Sequence, residues 1–127
     1  KIRSTPVESP NEILLLGSTC DVVGIDEAQF FDESIVDVAN QLANAGIRVV
    51  IAGLDMDFMG RPFGPMPNLM ATAEYVTKVH AICKRTGNLA NHSMRTSENT
   101  DLVQLGETDS YVAVSRKVFN EEMSKRK

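Results

Sequence analysis

Short apolar runs alternate along the chain with stretches whose apolar residues recur every three or four positions, a pattern that predicts an α/β domain with parallel strands. Residues 4–10 carry two prolines and turn formers, after which Asn11 is placed to cap a short helix running through Leu16 and ended by Gly17. Residues 21–26 are a brief β-branched run, read as a strand buried on both faces. Asp32 can cap a second helix, whose apolar positions Ile35, Val38, Ala39, Leu42 and Ala45 share one face until Gly46 stops it. Residues 48–53 then form a second buried strand, reached by a right-handed crossover if it lies parallel to the first.

After Gly53 the pattern breaks. Residues 54–65 set aromatic and Met side chains among Gly and Pro, which predicts a shaped loop. A helix opened by Pro67 is expected over residues 67–75, and an alternating strand over residues 76–84. Gly87 and Asn88 supply the turn of a hairpin whose second strand runs through His92 and Arg95. Residues 97–101 are polar and expected to be mobile, and residues 102–105 form a short extended piece. Residues 110–123 carry helix-compatible spacing at Val114, Val118 and Met123. No internal repeat is visible.

Composition narrows the class. With 127 residues, 43% of them hydrophobic, the chain is long enough to bury a core without staples. A net charge of −4 argues against coating nucleic acid or anionic membrane, since only residues 116–127 are locally basic. No apolar run approaches the ~20 residues of a membrane span, and none follows the basic start as a signal peptide requires. The expected location is the cytoplasm, where Cys20 and Cys83 stay reduced. Because the sequence starts at Lys1 rather than Met, inside what reads as a surface segment, further residues are expected upstream.

Ligands of open α/β sheets gather at the carboxyl ends of parallel strands. One such end is Ile25-Asp26-Glu27-Ala28-Gln29-Phe30-Phe31, where a buried strand discharges into adjacent carboxylates. An Asp there can hold a magnesium shell and a neighbouring Glu can take a proton; equally, the pair can simply open a turn and cap the next helix. The other end is Ala52-Gly53-Leu54-Asp55, leading to Phe58 and Phe63. Flat apolar side chains beside carboxylates suit a planar heterocycle, and equally a core beneath a loop. His80 and His92 lack ligand spacing and read as structural or surface histidines.

These residues carry a resemblance. Val22-Val-Gly-Ile-Asp-Glu-Ala-Gln-Phe-Phe31, the run from Ala43 to Phe58, Arg61-Pro-Phe-Gly64 and Asn68-Leu-Met70 resemble the cytosolic, tetrameric type of thymidine kinase. The likeness continues through residues 73–78, 81–83, Ser93-Met-Arg95 and residues 106–111. Taken alone, Ile25-Asp-Glu-Ala-Gln29 also resembles the second phosphate-site motif of many ATPases. The resemblance implies a RecA-like parallel sheet, with residues 1–79 as the C-terminal part of the nucleotide-binding kinase core and residues 80–127 as a lasso-bearing subdomain. It implies transfer of the ATP γ-phosphoryl to the 5′ hydroxyl of thymidine, in deoxynucleoside salvage, by a homotetramer.

By the same resemblance Glu27 is the general base and Asp26 helps to organise Mg²⁺ on the ATP phosphates. Phe30, Leu54, Phe58, Phe63 and Tyr111 surround thymine and deoxyribose. The lasso, residues 93–104, places Ser93 near the thymine methyl, Arg95 toward the sugar and phosphate side, and the Leu102 and Gln104 backbone at the base edge. Two departures stand out. The Gly-rich phosphate loop is expected upstream of Lys1, and without it these residues alone would not make a competent kinase. The family's two Cys-x-x-Cys zinc pairs read here as Cys83-Lys-Arg-Thr86 and Ser115-Arg-Lys-Val118, so only Cys83 remains and no zinc is expected. Alternatives from the residues are an ATPase or helicase fragment in which Glu27 activates water, and a non-catalytic nucleotide-binding module.

Overall fold

In the computed structural model of the chain, which describes residues 4–96 and 111–126, the first helix is α1, Pro10–Gly17. Pro10 takes the first turn, where its missing N–H breaks no helical bond, so the helix enters at Ser9 rather than at Asn11. Strands β1, Val22–Ile25, and β2, Arg48–Ile51, pair in parallel, with Val22 opposite Arg48 and Ile25 opposite Ile51. Between them runs α2, Ser34–Asn44, which buries Ile35, Val38, Ala39 and Leu42 as the spacing predicts. Ala45 is exposed, because the helix has ended and the chain turns at Gly46 with φ of 87°. Asp32 does cap: its Oδ1 accepts the Ser34 N–H at 2.9 Å and the Ser34 hydroxyl as well.

Helix α2 packs on α1, on β2 and on α3, Met66–Thr72. The core they share with the strands holds Ile13, Ile25, Ile35, Leu42, Met66 and Leu69. The strands are not buried on both faces as expected. Val23, Ile25, Val49 and Ile51 face this core, whereas Val22 and Val50 are 57% and 51% exposed. Among the described residues only this face of the pair is covered, so alternate residues are buried. Helix α3 stops three residues short of the expected Tyr75, since Ala73 is extended and the Thr72 hydroxyl turns back to the Asn68 carbonyl at 3.1 Å.

The described residues up to Asp55 and those of Phe63–Val76 form one compact unit; Met56–Pro62 and the described residues from Thr77 onward form a second. In the second unit the hairpin is present but short. β3, Ala81–Ile82, pairs antiparallel with β4, Leu89–Ala90, and residues 76–80, expected in the strand, lie outside it and are exposed. Alternation alone makes no strand, and among the described residues no strand pairs with residues 76–80. The turn closes as its chemistry predicts: Gly87, with φ of 75°, donates to the Cys83 carbonyl at 3.0 Å, and the Cys83 N–H donates to the Asn88 carbonyl at 2.7 Å.

The helix expected over residues 110–123 is corrected in its first half. Tyr111–Val114 is strand β6, antiparallel to β5, His92–Arg95, with Arg95 opposite Tyr111 and His92 opposite Val114. Helix α4, Arg116–Lys125, begins only after Ser115, whose hydroxyl accepts the Val118 N–H at 3.5 Å. Val118 and Phe119 join Cys83, Ala90, Met94 and Val114 in the second core. The loop over residues 56–62 is shaped by Asp57, whose buried Oδ1 accepts the Met59 and Arg61 N–H groups at 2.9 and 3.1 Å. The expected mobile segment 97–101 and extended piece 102–105 lie outside the described residues. Among the described residues no helix is long and apolar enough to cross a membrane.

Candidate functional site

Parallel β1 delivers Asp26 and Glu27 side by side at its carboxyl end, both exposed. Asp26 Oδ1 accepts the Glu27 N–H at 2.9 Å. Glu27 itself is left-handed, with φ of 53° and ψ of 43°, the only non-glycine with positive φ among the described residues. That conformation costs a residue with a Cβ roughly 1–2 kcal/mol. It is held by its surroundings: the Ala28 N–H donates to the Ala52 carbonyl at 3.1 Å, and a 3-10 turn, Ala28–Phe30, begins immediately. Glu27 therefore sits exposed at the junction of the strand and this turn.

Gln29 completes this end and was not singled out by sequence. Its buried amide donates to Glu27 Oε2 at 2.6 Å and accepts from the Leu54 N–H at 3.0 Å. The sequence carried Gln29 only as the last residue of the Ile25-Asp-Glu-Ala-Gln29 motif, a polar position between the apolar Ala28 and Phe30 to which no role attaches without its tertiary partners. Beyond Gln29, Phe30 is 60% exposed and meets Phe63 edge to face, with ring centroids 5.6 Å apart. Leu54 is likewise half-exposed. Solvent-facing apolar side chains next to carboxylates are the surface a flat, polar-handled ligand needs. The structure therefore brings together Asp26, Glu27, Phe30, Leu54 and Phe63 of the expected site residues in one unit.

Phe58, Ser93, Arg95 and Tyr111 belong to the second unit. Arg95, fully buried, lies with its guanidinium carbon 3.8 Å from the Phe58 ring centre and 5.3 Å from that of Tyr111. Its Nη2 donates to the Tyr111 hydroxyl at 2.7 Å, and Arg126 donates to its carbonyl at 2.8 Å. A cation between two ring faces is favoured electrostatically, so Arg95 ties two of the expected pocket residues together. Ser93 is half-buried in β5 opposite Ala113. Leu102 and Gln104 lie outside the described residues.

The donor set does not fit zinc. Cys83 is buried where the hairpin turn starts; the Thr86 hydroxyl, opposed by burial and aided by Ser115, Thr86 and Arg85 backbone groups, lowers its pKa to about 6. Thr86, Ser115 and Val118 offer no further thiolate, and a tetrahedral site asks for four soft or borderline donors. They do other work here: Ser115 caps α4 and Val118 packs in the core. His80 pairs its Nδ1 with Asn91, and buried His92 stacks on Phe119 with ring centres 4.5 Å apart. Among the described residues no three His, Cys, Asp or Glu side chains cluster to hold a metal.

Residues 5–119 match the family described as "Thymidine kinase". A thymidine kinase of Bacteroides thetaiotaomicron is 59% identical over 118 residues, covering 93% of this chain and 59% of that protein. Those of a Rhodothermus species and of Porphyromonas gingivalis are each 58% identical over 93% of this chain, and 55% and 58% of their own lengths are covered. The chain thus spans somewhat under three fifths of the curated relatives it matches.

Proposed function

This chain belongs to the thymidine kinase family, and from that premise we propose that the whole protein transfers the γ-phosphoryl group of ATP to the 5′ hydroxyl of thymidine. The observation that carries the reading is the exposed Asp26–Glu27 pair at the carboxyl end of parallel strand β1, with the Glu27 carboxylate held by Gln29. Glu27 accepts the 5′ hydroxyl proton as that oxygen attacks the γ-phosphorus. The bond to the β,γ-bridging oxygen breaks, leaving ADP and thymidine monophosphate. Phosphoryl transfer asks mainly for positioning, charge neutralisation and a proton acceptor, and an exposed carboxylate at the end of the strand can supply the last of these.

Asp26 is the residue that would hold Mg²⁺. It fits: one carboxylate oxygen is taken by the Glu27 N–H, no hydrogen bond engages the other among the described residues, and magnesium in such sites keeps most of its waters and needs few protein ligands. When bound, the ion offsets the phosphate charge. Phe30, Leu54 and Phe63 supply apolar surface for the nucleoside, to which Phe58 and Tyr111 are assigned by family resemblance. The same resemblance assigns Ser93 to the thymine methyl and Arg95 to the sugar and phosphate side. The β1–α2–β2 arrangement supports a RecA-like core over residues 1–79, with a lasso-bearing subdomain over residues 80–127. A cytoplasmic homotetramer is part of the same proposal.

Steady-state assays of the whole protein test it. Thymidine monophosphate is expected from ATP and thymidine, and Glu27→Gln should lower kcat by about 10²- to 10⁴-fold, the usual worth of a general base, with a much smaller change in thymidine KM. Near-normal turnover in that variant would place proton transfer elsewhere. ATP hydrolysis at one rate with or without thymidine would favour the ATPase reading.

A further inference from the structure

Gln29, 2% exposed, lies between two groups of opposite demand. Glu27 Oε2 can only accept while ionised and the Leu54 N–H can only donate, so a single orientation of the amide satisfies both. The bond to the carboxylate, at 2.6 Å, is charge-assisted and directional, and it selects one arrangement of a side chain that otherwise has three free torsions. The bond to Leu54, at 3.0 Å, fixes the amide itself to the chain that leaves β2. Two glycines keep room for it. A Cβ on Gly53 would stand 2.9 Å from Gln29 Oε1, and one on Gly64 would stand 2.6 Å from the Gln29 carbonyl oxygen. Five positions from three separate stretches of the chain, 27 and 29, 53 and 54, and 64, thus converge on the placing of one carboxylate.

We infer that Gln29 is a positioning residue for phosphoryl transfer, holding the Glu27 carboxylate in register with the Leu54 end of β2 so that it meets the acceptor hydroxyl. The inference rests on Glu27 being the proton acceptor proposed above. Gln29 touches neither substrate nor the reacting atoms in this role; it acts through Glu27. A group displaced by about an ångström can cost on the order of 10²-fold in rate, which sets the scale of the effect.

The test uses the whole protein with ATP and thymidine, and four variants: Glu27→Gln, Gln29→Met, Gln29→Glu, and Glu27→Gln with Gln29→Met. Gln29→Met keeps the length and removes both bonds. Gln29→Glu keeps the acceptor for Leu54 and sets a like charge against Glu27. Each Gln29 variant is expected to lose about 10- to 100-fold in kcat, while thymidine KM moves by less than about 3-fold. In the Glu27→Gln background, adding Gln29→Met should cost less than about 3-fold more, because no base is left to place. Losses that multiply in the double variant would make Gln29 a structural residue and overturn the inference. Wild-type kcat in the Gln29 variants beside an impaired Glu27→Gln would overturn it while leaving the base assignment standing. Near-normal turnover of Glu27→Gln would overturn both. If Gln29→Met does not fold, Gln29→Glu alone and combined with Glu27→Gln is judged by the same criteria.

Discussion

Asp32 accepts the Ser34 hydroxyl and, at 2.9 Å, the Ser34 N–H, and these two bonds, the hydroxyl first, lower its pKa below the ordinary 3.8. A carboxylate with a depressed folded pKa stabilises the fold fully above its unfolded pKa and loses that contribution as pH falls through the folded value. Asp32→Ala is therefore expected to lower Tm at neutral pH, with the gap from wild type closing as the pH drops below about 3.8. Asp32→Asn should retain much of the cap without that pH dependence; melts across pH check both. Gly64 is a steeper case, since its φ of 51° already strains any residue with a Cβ and the added carbon would stand 2.6 Å from the Gln29 backbone oxygen. Gly64→Ala is expected to cost about 1–3 kcal/mol, read from the denaturant midpoint. Asp32 was legible in sequence because a cap and its helix are neighbours in the chain. Gln29 was not, because the groups that define it come from residues 27 and 54 and from glycines 53 and 64.

At the scale of elements, spacing predicts the structure where the chain's own periodicity decides and departs from it where a partner strand does. Helix α2 has its apolar stripe in sequence and buries it as read. Val114 and Val118 also share helical spacing, yet Tyr111–Val114 pairs with β5, because four residues rich in β-branched and aromatic side chains gain more from a ladder than from one extra helical turn. Ser115 marks the change: extended, with its hydroxyl on the Val118 N–H, it is the start of α4. Ser115→Ala is expected to destabilise the protein by about 0.5–2 kcal/mol, with Ser115→Asp or Ser115→Thr recovering part of the loss in thermal melts. The turn between β3 and β4 is also tied to α4 by Arg85 and Glu122, 2.7 Å apart, which raises the Arg85 pKa and lowers that of Glu122.

At the scale of the molecule, the second unit closes around hydrophobic packing and hydrogen bonds at positions where the family resemblance implies metal ligands. Cys83, Val118 and Val114 share one core and Ser115 caps a helix, so the protein is expected to purify without stoichiometric zinc and to melt at the same temperature with or without a chelator. One zinc per chain by metal analysis would show Cys83 recruiting other donors. The sequence by itself determined the α/β alternation, the helix stops at glycine, the hairpin turn at Gly87, the carboxylates at the end of β1 and the family, because each is written in neighbouring residues or in runs of identity. Only the tertiary structure decided that Val23, Ile25, Val49 and Ile51 face the described core, that Glu27 is left-handed, that Gln29 joins it to Leu54, and that Arg95 lies against Phe58 and Tyr111. Those features depend on which distant segments arrive beside a residue, and burial, hydrogen-bond partners and tolerated backbone strain are properties of that arrival rather than of local spacing.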